Sequence, residues 1–194
     1  MDWLTIPNAL TLFRILLTPF ILMELSRGHW LAGGWMLGAA GISDIADGTL
    51  ARKFNWRSKA GQLLDPIADK LMLGTVYLGL GLGGAIPPWL VVLVFARDLW
   101  ILAMSAYAFR IGATGDLKPS IWGKLSTFCQ IMTAVGTIAA RAYGEVVFLD
   151  AAEVFSWITA FFTAFSGAHY TWRGIRYLRN AKAAASDTKN KSLP

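Results

Sequence analysis

Six stretches of roughly twenty mostly apolar residues each, at 9–26, 30–52, 60–82, 88–110, 121–141 and 152–176, set what this chain can fold into. A helix crossing about 30 Å of hydrocarbon needs about 20 such residues, and every stretch supplies them. Short breaks separate them: SRGHW, KFNWRSK, GGAIPP, IGATGDLKPS and AYGEVVFLD. With 55% hydrophobic and only 15% charged residues, the chain has too little polar surface for a soluble domain of its length. We therefore expect an all-α, polytopic membrane protein with six transmembrane helices, preceded by a short interfacial segment, MDWLTI. That segment has no basic n-region, so the first stretch is expected to stay as a helix.

The basic residues support an even number of crossings. Arg52, Lys53, Arg57 and Lys59 follow the second stretch, Arg110, Lys118 and Lys124 the fourth, and Arg173, Arg176, Arg179, Lys182, Lys189 and Lys191 the sixth. Only Arg27 and Arg141 fall in the alternate breaks. By the positive-inside rule the rich side and both termini are cytoplasmic. Residues 1–177 then form the membrane domain, and the basic tail 178–194 is expected to be disordered. Trp3, Trp30, Trp56, Trp89, Trp122 and Trp172 sit near the ends of the stretches, where interfacial anchors belong. Gly34, Gly38 and Gly41 in GGWMLGAAG are expected to let helices approach closely.

Other features carry no function at this level. GLGLGG at 79–84 matches a dinucleotide fingerprint but follows no strand. The NKS sequon lies in the cytoplasmic tail, so glycosylation is not expected. His29 and His169 are isolated, and Cys129, the single cysteine, is expected to be a small buried hydrophobe.

The informative stretch is SDIADGTLARKFNWRSKAGQLLDPIADKLML, residues 43–73. On a helix, Asp44, Asp47, Gly48, Ala51 and Arg52 share an arc of roughly 140°. Gly61, Asp65 and Asp69 then recur at i, i+4 and i+8, again on one face. Two helix ends joined by a short turn can thus point four carboxylates at one another. Such a cluster repels itself unless cations enter it. A hard divalent ion such as Mg²⁺ takes oxygen ligands, and two ions on shared carboxylates suit phosphoryl-type displacement. Gly48, Ala51 and Gly61 leave room for a ligand, and Arg52 can grip a phosphate with two parallel hydrogen bonds. A pyrophosphate-bearing ligand fits that set. The alternative is an interfacial charge cluster paired with Arg52, Lys53 and Lys59.

These positions, D-x2-D-G-x2-A-R-x8-G-x3-D-x3-D, are all met from Asp44 to Asp69, and in this the chain resembles the CDP-alcohol phosphotransferases, six-helix membrane enzymes of phospholipid synthesis. IPNALTLFRILLTPF looks like the first helix of the glycerophosphate and cardiolipin branches, and KPSIWGKLSTFCQ like their fifth. The resemblance covers about residues 5–177. It implies transfer of a phosphatidyl group from CDP-diacylglycerol to an alcohol, with release of CMP. Asp44, Asp47 and Asp65 would then be metal ligands. Asp69 would contact metal and act as general base, with two Mg²⁺ or Mn²⁺ ions expected. Asp47, Gly48, Ala51, Arg52 and Gly61 would hold the nucleotide. A homodimer in a bacterial inner membrane, with the active site on the cytoplasmic side, is a further expectation, and nucleic acid is not an expected partner.

The acceptor is read from other cations. Asn8, Thr11 and Arg14 recur every three residues on the first helix, matching N-x2-T-x2-R of the glycerol branches. Arg97, Arg110, Lys118 and Lys124 are candidates for an acceptor-phosphate pocket, with pairing of Arg97 to Asp98 as the competing reading. Phosphatidylglycerophosphate synthases usually show Arg-Glu where this chain has Arg97-Asp98, whereas LKPS and TAFSGAHY look more like cardiolipin synthases. Glycerol-3-phosphate is the leading acceptor and phosphatidylglycerol the alternative. A cation transporter is disfavoured, because its acids would line a path across the membrane rather than cluster at one side.

Overall fold

The computed structural model describes residues 6–53, 59–110, 120–144 and 146–191, with side chains placed except at 6–8, 46–66, 108–109, 146–149 and 177–191. Every described element is a helix: α1 (Ile6–Ser26), α2 (Trp30–Lys53), α3 (Lys59–Leu82), α4 (Pro88–Arg110), α5 (Ile121–Tyr143) and α6 (Val146–Lys191). The first five apolar stretches match α1 to α5 closely, because glycine, proline and capping residues punctuate them, while the sixth lies inside the longer α6. Gly28, at φ 79°, ends α1: its N–H donates to Leu25 O, and the His29 N–H donates to Glu24 O. Gly84, at φ 70°, repeats the pattern after α3, with bonds to Gly81 O and Leu80 O. Both are Schellman caps, which need the left-handed conformation that glycine adopts without strain. Pro88 opens α4, where a missing N–H costs nothing. Ser120 caps α5 by accepting the Gly123 N–H at 3.1 Å.

One expectation changes at the C-terminus. Helix α6 continues to Lys191 and so runs through the segment expected to be disordered. Alanine and lysine are good helix formers, so a helix entering NAKAAAS has no stop signal there.

The chain divides into two compact units, one of residues Met1–Val91 and Ile131–Ser156, the other of Val92–Gln130 and Trp157–Pro194. In the first, α1 packs on α2 and α3, around Ile21, Leu25, Val76, Tyr77 and Leu80, all essentially buried. Glycines set that packing. A Cβ on Gly83 would lie 2.4 Å from Leu25 O, and one on Gly79 would lie 2.9 Å from Leu25 Cβ. GLGLGG is therefore the surface that seats α3 against α1. Of the glycines in GGWMLGAAG, Gly34 faces Ile138 at 3.0 Å, but Gly38 and Gly41 face nothing within 4 Å. The expected close approach holds for Gly34 and fails for the other two, which point away from the neighbouring helices.

The second unit is held by polar groups. Ser126 and Thr163 hydroxyls lie 3.3 Å apart, and Gln130 Nε2 donates to Thr163 Oγ1 at 3.2 Å. Because Gln130 takes the interior face, its neighbour Cys129 is partly exposed rather than buried.

Among the described residues, both units bury hydroxyls and expose apolar side chains. Thr11, Ser126, Thr133, Thr163 and Ser166 are buried, while Trp35 is 75% exposed and Ile121 80% exposed. Hydrocarbon solvent produces this arrangement: apolar groups gain nothing by hiding from lipid, and polar groups must bond inside. Among the described residues, two helices are apolar and long enough to cross a membrane, over Ala9–Ser26 and Pro88–Tyr107. The other helices are diluted by glycine, hydroxyls or charges, so hydropathy alone supports two of the six expected spans. The protein is a membrane protein.

Candidate active site

Three helices of the first unit meet at a buried arginine. On α1, Thr11 and Arg14 lie one turn apart and both are 1% exposed. Arg14 Nη1 donates to Asp44 Oδ1 of α2 at 2.5 Å and to Asp69 Oδ1 of α3 at 2.7 Å. The carboxylates themselves are 46% and 55% exposed. The guanidinium thus forms the floor, and the acids open outward from it. Pro19 lies within α1, one turn beyond Arg14, and the Thr18 hydroxyl donates to Arg14 O at 2.9 Å. That bond occupies a backbone acceptor close to where proline removes a donor.

The sequence reading grouped Arg14 with Asn8 and Thr11 as acceptor contacts. In the structure its guanidinium joins Asp44 and Asp69. The first and last aspartates of the motif therefore converge, as their helical spacing allows. Asp47, Gly48, Ala51 and Arg52 lie on the same unbroken α2, and Gly61 and Asp65 on α3. Their side chains, and that of Asn8, fall outside the described ones, and Lys118 falls outside the described residues.

Two carboxylate oxygens from facing helices, on one nitrogen, form a hard-donor pair that fits a divalent cation such as Mg²⁺. Among the described residues no group of three or more His, Cys, Asp or Glu could hold a metal, and two of the four predicted ligands are not among the described side chains.

In the second unit, Arg97 is 8% exposed. Its Nη1 donates to Asp98 Oδ1 at 2.6 Å and its Nη2 to Ser166 Oγ at 2.8 Å. The pairing with Asp98, one of two readings left open by sequence, is the one realised. Arg110, in the last turn of α4, and Lys124, in the first turn of α5, are exposed. Sequence inspection missed the role of Tyr170: its hydroxyl accepts the Ser120 N–H at 2.9 Å and lies over Gly123, where a Cβ would meet it at 2.9 Å. The S-x-x-G spacing in SIWG carries both the cap and that close approach, and could have signalled them.

A family model described as CDP-alcohol phosphatidyltransferase matches residues 4–165. The chain belongs to that family. It is a phosphatidyltransferase of phospholipid biosynthesis, and such enzymes generally use divalent metal ions. A "Probable phosphatidylglycerophosphate synthase" of Mycobacterium tuberculosis is 33% identical over 186 residues, 92% of this chain and 86% of that protein. The "CDP-diacylglycerol--glycerol-3-phosphate 3-phosphatidyltransferase" of Bacillus subtilis is 28% identical, over 88% of this chain and 97% of that protein. A "Probable cardiolipin synthase (CMP-forming)" of Drosophila melanogaster is 34% identical over 67% of this chain, but this match spans only 45% of the longer fly protein.

Proposed function

We propose that this phosphatidyltransferase uses CDP-diacylglycerol and glycerol-3-phosphate, giving phosphatidylglycerophosphate and CMP. The observation that carries the reading is the convergence of Asp44 and Asp69, the two ends of a complete motif, on Arg14. Asp69, half exposed at the mouth of that cluster, accepts the proton of the acceptor hydroxyl. The hydroxyl oxygen then forms a bond to the phosphorus bearing diacylglycerol. The bond from that phosphorus to the bridging oxygen breaks, and CMP leaves. Arg14 is a positioning residue that fixes both carboxylates at one point. Asp44, Asp47, Asp65 and Asp69 would hold two Mg²⁺ or Mn²⁺ ions, which when bound neutralise the pyrophosphate. Asp47, Gly48, Ala51, Arg52 and Gly61 are assigned to the nucleotide. On the sequence pattern Arg110, Lys118 and Lys124 are candidates for the acceptor phosphate and Asn8 and Thr11 for the acceptor, whereas Arg97 is engaged by Asp98 and Ser166.

Six spans, with the motif and both termini on the cytoplasmic side, are supported by the distribution of lysine and arginine, and a bacterial inner membrane is part of the proposal on family resemblance. That placement gives soluble CMP and glycerol-3-phosphate direct access. A homodimer remains part of the proposal on family resemblance.

A second reading is that phosphatidylglycerol is the acceptor and cardiolipin the product. Arg97 paired with the short acid Asp98, where glycerophosphate enzymes usually carry glutamate, favours it. One assay separates the two. Purified protein with Mg²⁺ and CDP-diacylglycerol receives each alcohol, and the lipid product is weighed by mass spectrometry. Phosphatidylglycerophosphate is expected; cardiolipin alone would reverse the choice. In the same assay Asp69→Asn should lose CMP release while still purifying as folded protein, and full activity in that variant would remove its role as base.

A further inference from the structure

At the end of the first unit remote from Arg14, the chain forms a wide-mouthed surface cavity of ≈ 590 Å³. Gly28, His29, Trp30, Ala32, Trp35 and Arg141 are among its walls. Arg14 and Gly28 stand fourteen residues apart along α1 and its cap, roughly 20 Å at the helical rise. A similar length of α3 separates Asp69 from Gly84. The transfer reaction therefore has no use for this cavity.

Its chemistry is that of an amphiphile site. Arg141 Nη2 donates to Gly84 O at 3.0 Å and to Ala85 O at 3.5 Å, which ties the side chain to the capped end of α3. Its other guanidinium N–H groups carry no hydrogen bond among the described residues. His29 Nδ1 lies 2.9 Å from Glu24 Oε2, so Glu24 already has a partner. Among the described residues no carboxylate lines the cavity, and Arg27 stands exposed beside it in sequence. Leu31 is 57% exposed and Trp35 75% exposed on the same helix, so the flank is hydrocarbon and indole. A free anion would find one fixed cation and much apolar surface. A phosphodiester joined to an acyl chain uses both.

We propose that this cavity binds the headgroup phosphate of an anionic phospholipid, in the leaflet opposite the aspartate cluster, with an acyl chain along Leu31 and Trp35. The two nearby arginines disfavour a headgroup that carries its own cation.

Full-length protein in detergent, titrated with phosphatidylglycerol, phosphatidylcholine or inorganic phosphate and followed by native mass spectrometry, tests this. Phosphatidylglycerol should be retained about tenfold better than phosphatidylcholine, at the roughly 1.4 kcal/mol that a tenfold ratio represents. Arg141→Gln should erase that preference. Ala32→Trp, at an exposed position, should fill the cavity and do the same without removing charge. CMP release should stay at wild-type level in both variants. Should Arg141→Gln fail to fold, Ala32→Trp decides alone. Equal retention of the two lipids, unchanged phosphatidylglycerol retention in Ala32→Trp, or displacement of the lipid by inorganic phosphate would each overturn the assignment.

Discussion

Arg14→Met is the sharpest test of the site geometry, because methionine keeps much of the buried stem and removes only the charged fork. Among the described side chains Arg14 makes charge-assisted hydrogen bonds to Asp44 and Asp69, from a position 1% exposed. Such bonds contribute about 1.5–3 kcal/mol each when well shielded. Both carboxylates are about half exposed, so water recovers part of their solvation and each contribution falls to about 1 kcal/mol. The expected loss is about 2 kcal/mol, around a thirtyfold shift in the folding equilibrium. Unfolding of purified protein in mixed detergent micelles with increasing SDS measures it. Double-mutant cycles with Asp44→Asn and Asp69→Asn isolate the pairs, each with a coupling of about 1 kcal/mol. Arg14→Lys should recover less than half, since one ammonium cannot serve two acids with a planar fork. Couplings below about 0.3 kcal/mol in both cycles would show that the three side chains do not meet, and the site would lose its floor.

Other expectations follow from particular contacts. Gly83→Ala should destabilise by about 1–3 kcal/mol in the same assay, because its new methyl meets the backbone oxygen of Leu25 at 2.4 Å. Gly38→Ala, with nothing within 4 Å, should be neutral or stabilise by up to about 1 kcal/mol; the opposite order would mean that α3 does not seat on α1 as described. Ser120→Ala should cost about 1 kcal/mol through loss of the α5 cap, with Ser120→Asp close to wild type. Exhaustive chelation should abolish CMP release, and Mg²⁺ or Mn²⁺ should restore it; activity that survives chelation would exclude the metal-assisted reading.

Much of this was legible in the chain itself. Apolar length and Gly/Pro punctuation located six helices, since a run of about twenty such residues has few alternatives in lipid. The 100° helical repeat put the aspartates on one face of each helix, and the motif, complete from Asp44 to Asp69, carried the family. What periodicity could not supply was the partner of each face. Arg14 looked like part of an acceptor pattern because its partners are 30 and 55 residues away. Arg97 had a partner next door and another 69 residues on, and only packing chose both. GLGLGG read as a failed nucleotide fingerprint until Leu25 was found against it. Gly34 and Gly38 are equivalent on a helical wheel, yet only one meets a neighbour.

Local sequence thus determined the number of helices, the ends of the first five and the face of α2 and α3 that carries acid. Tertiary structure decided that a buried cation on α1 gathers the acids of α2 and α3. A helix face is fixed by the repeat of its own backbone, whereas the group that meets it depends on how distant helices rotate and pack, which no single helix encodes.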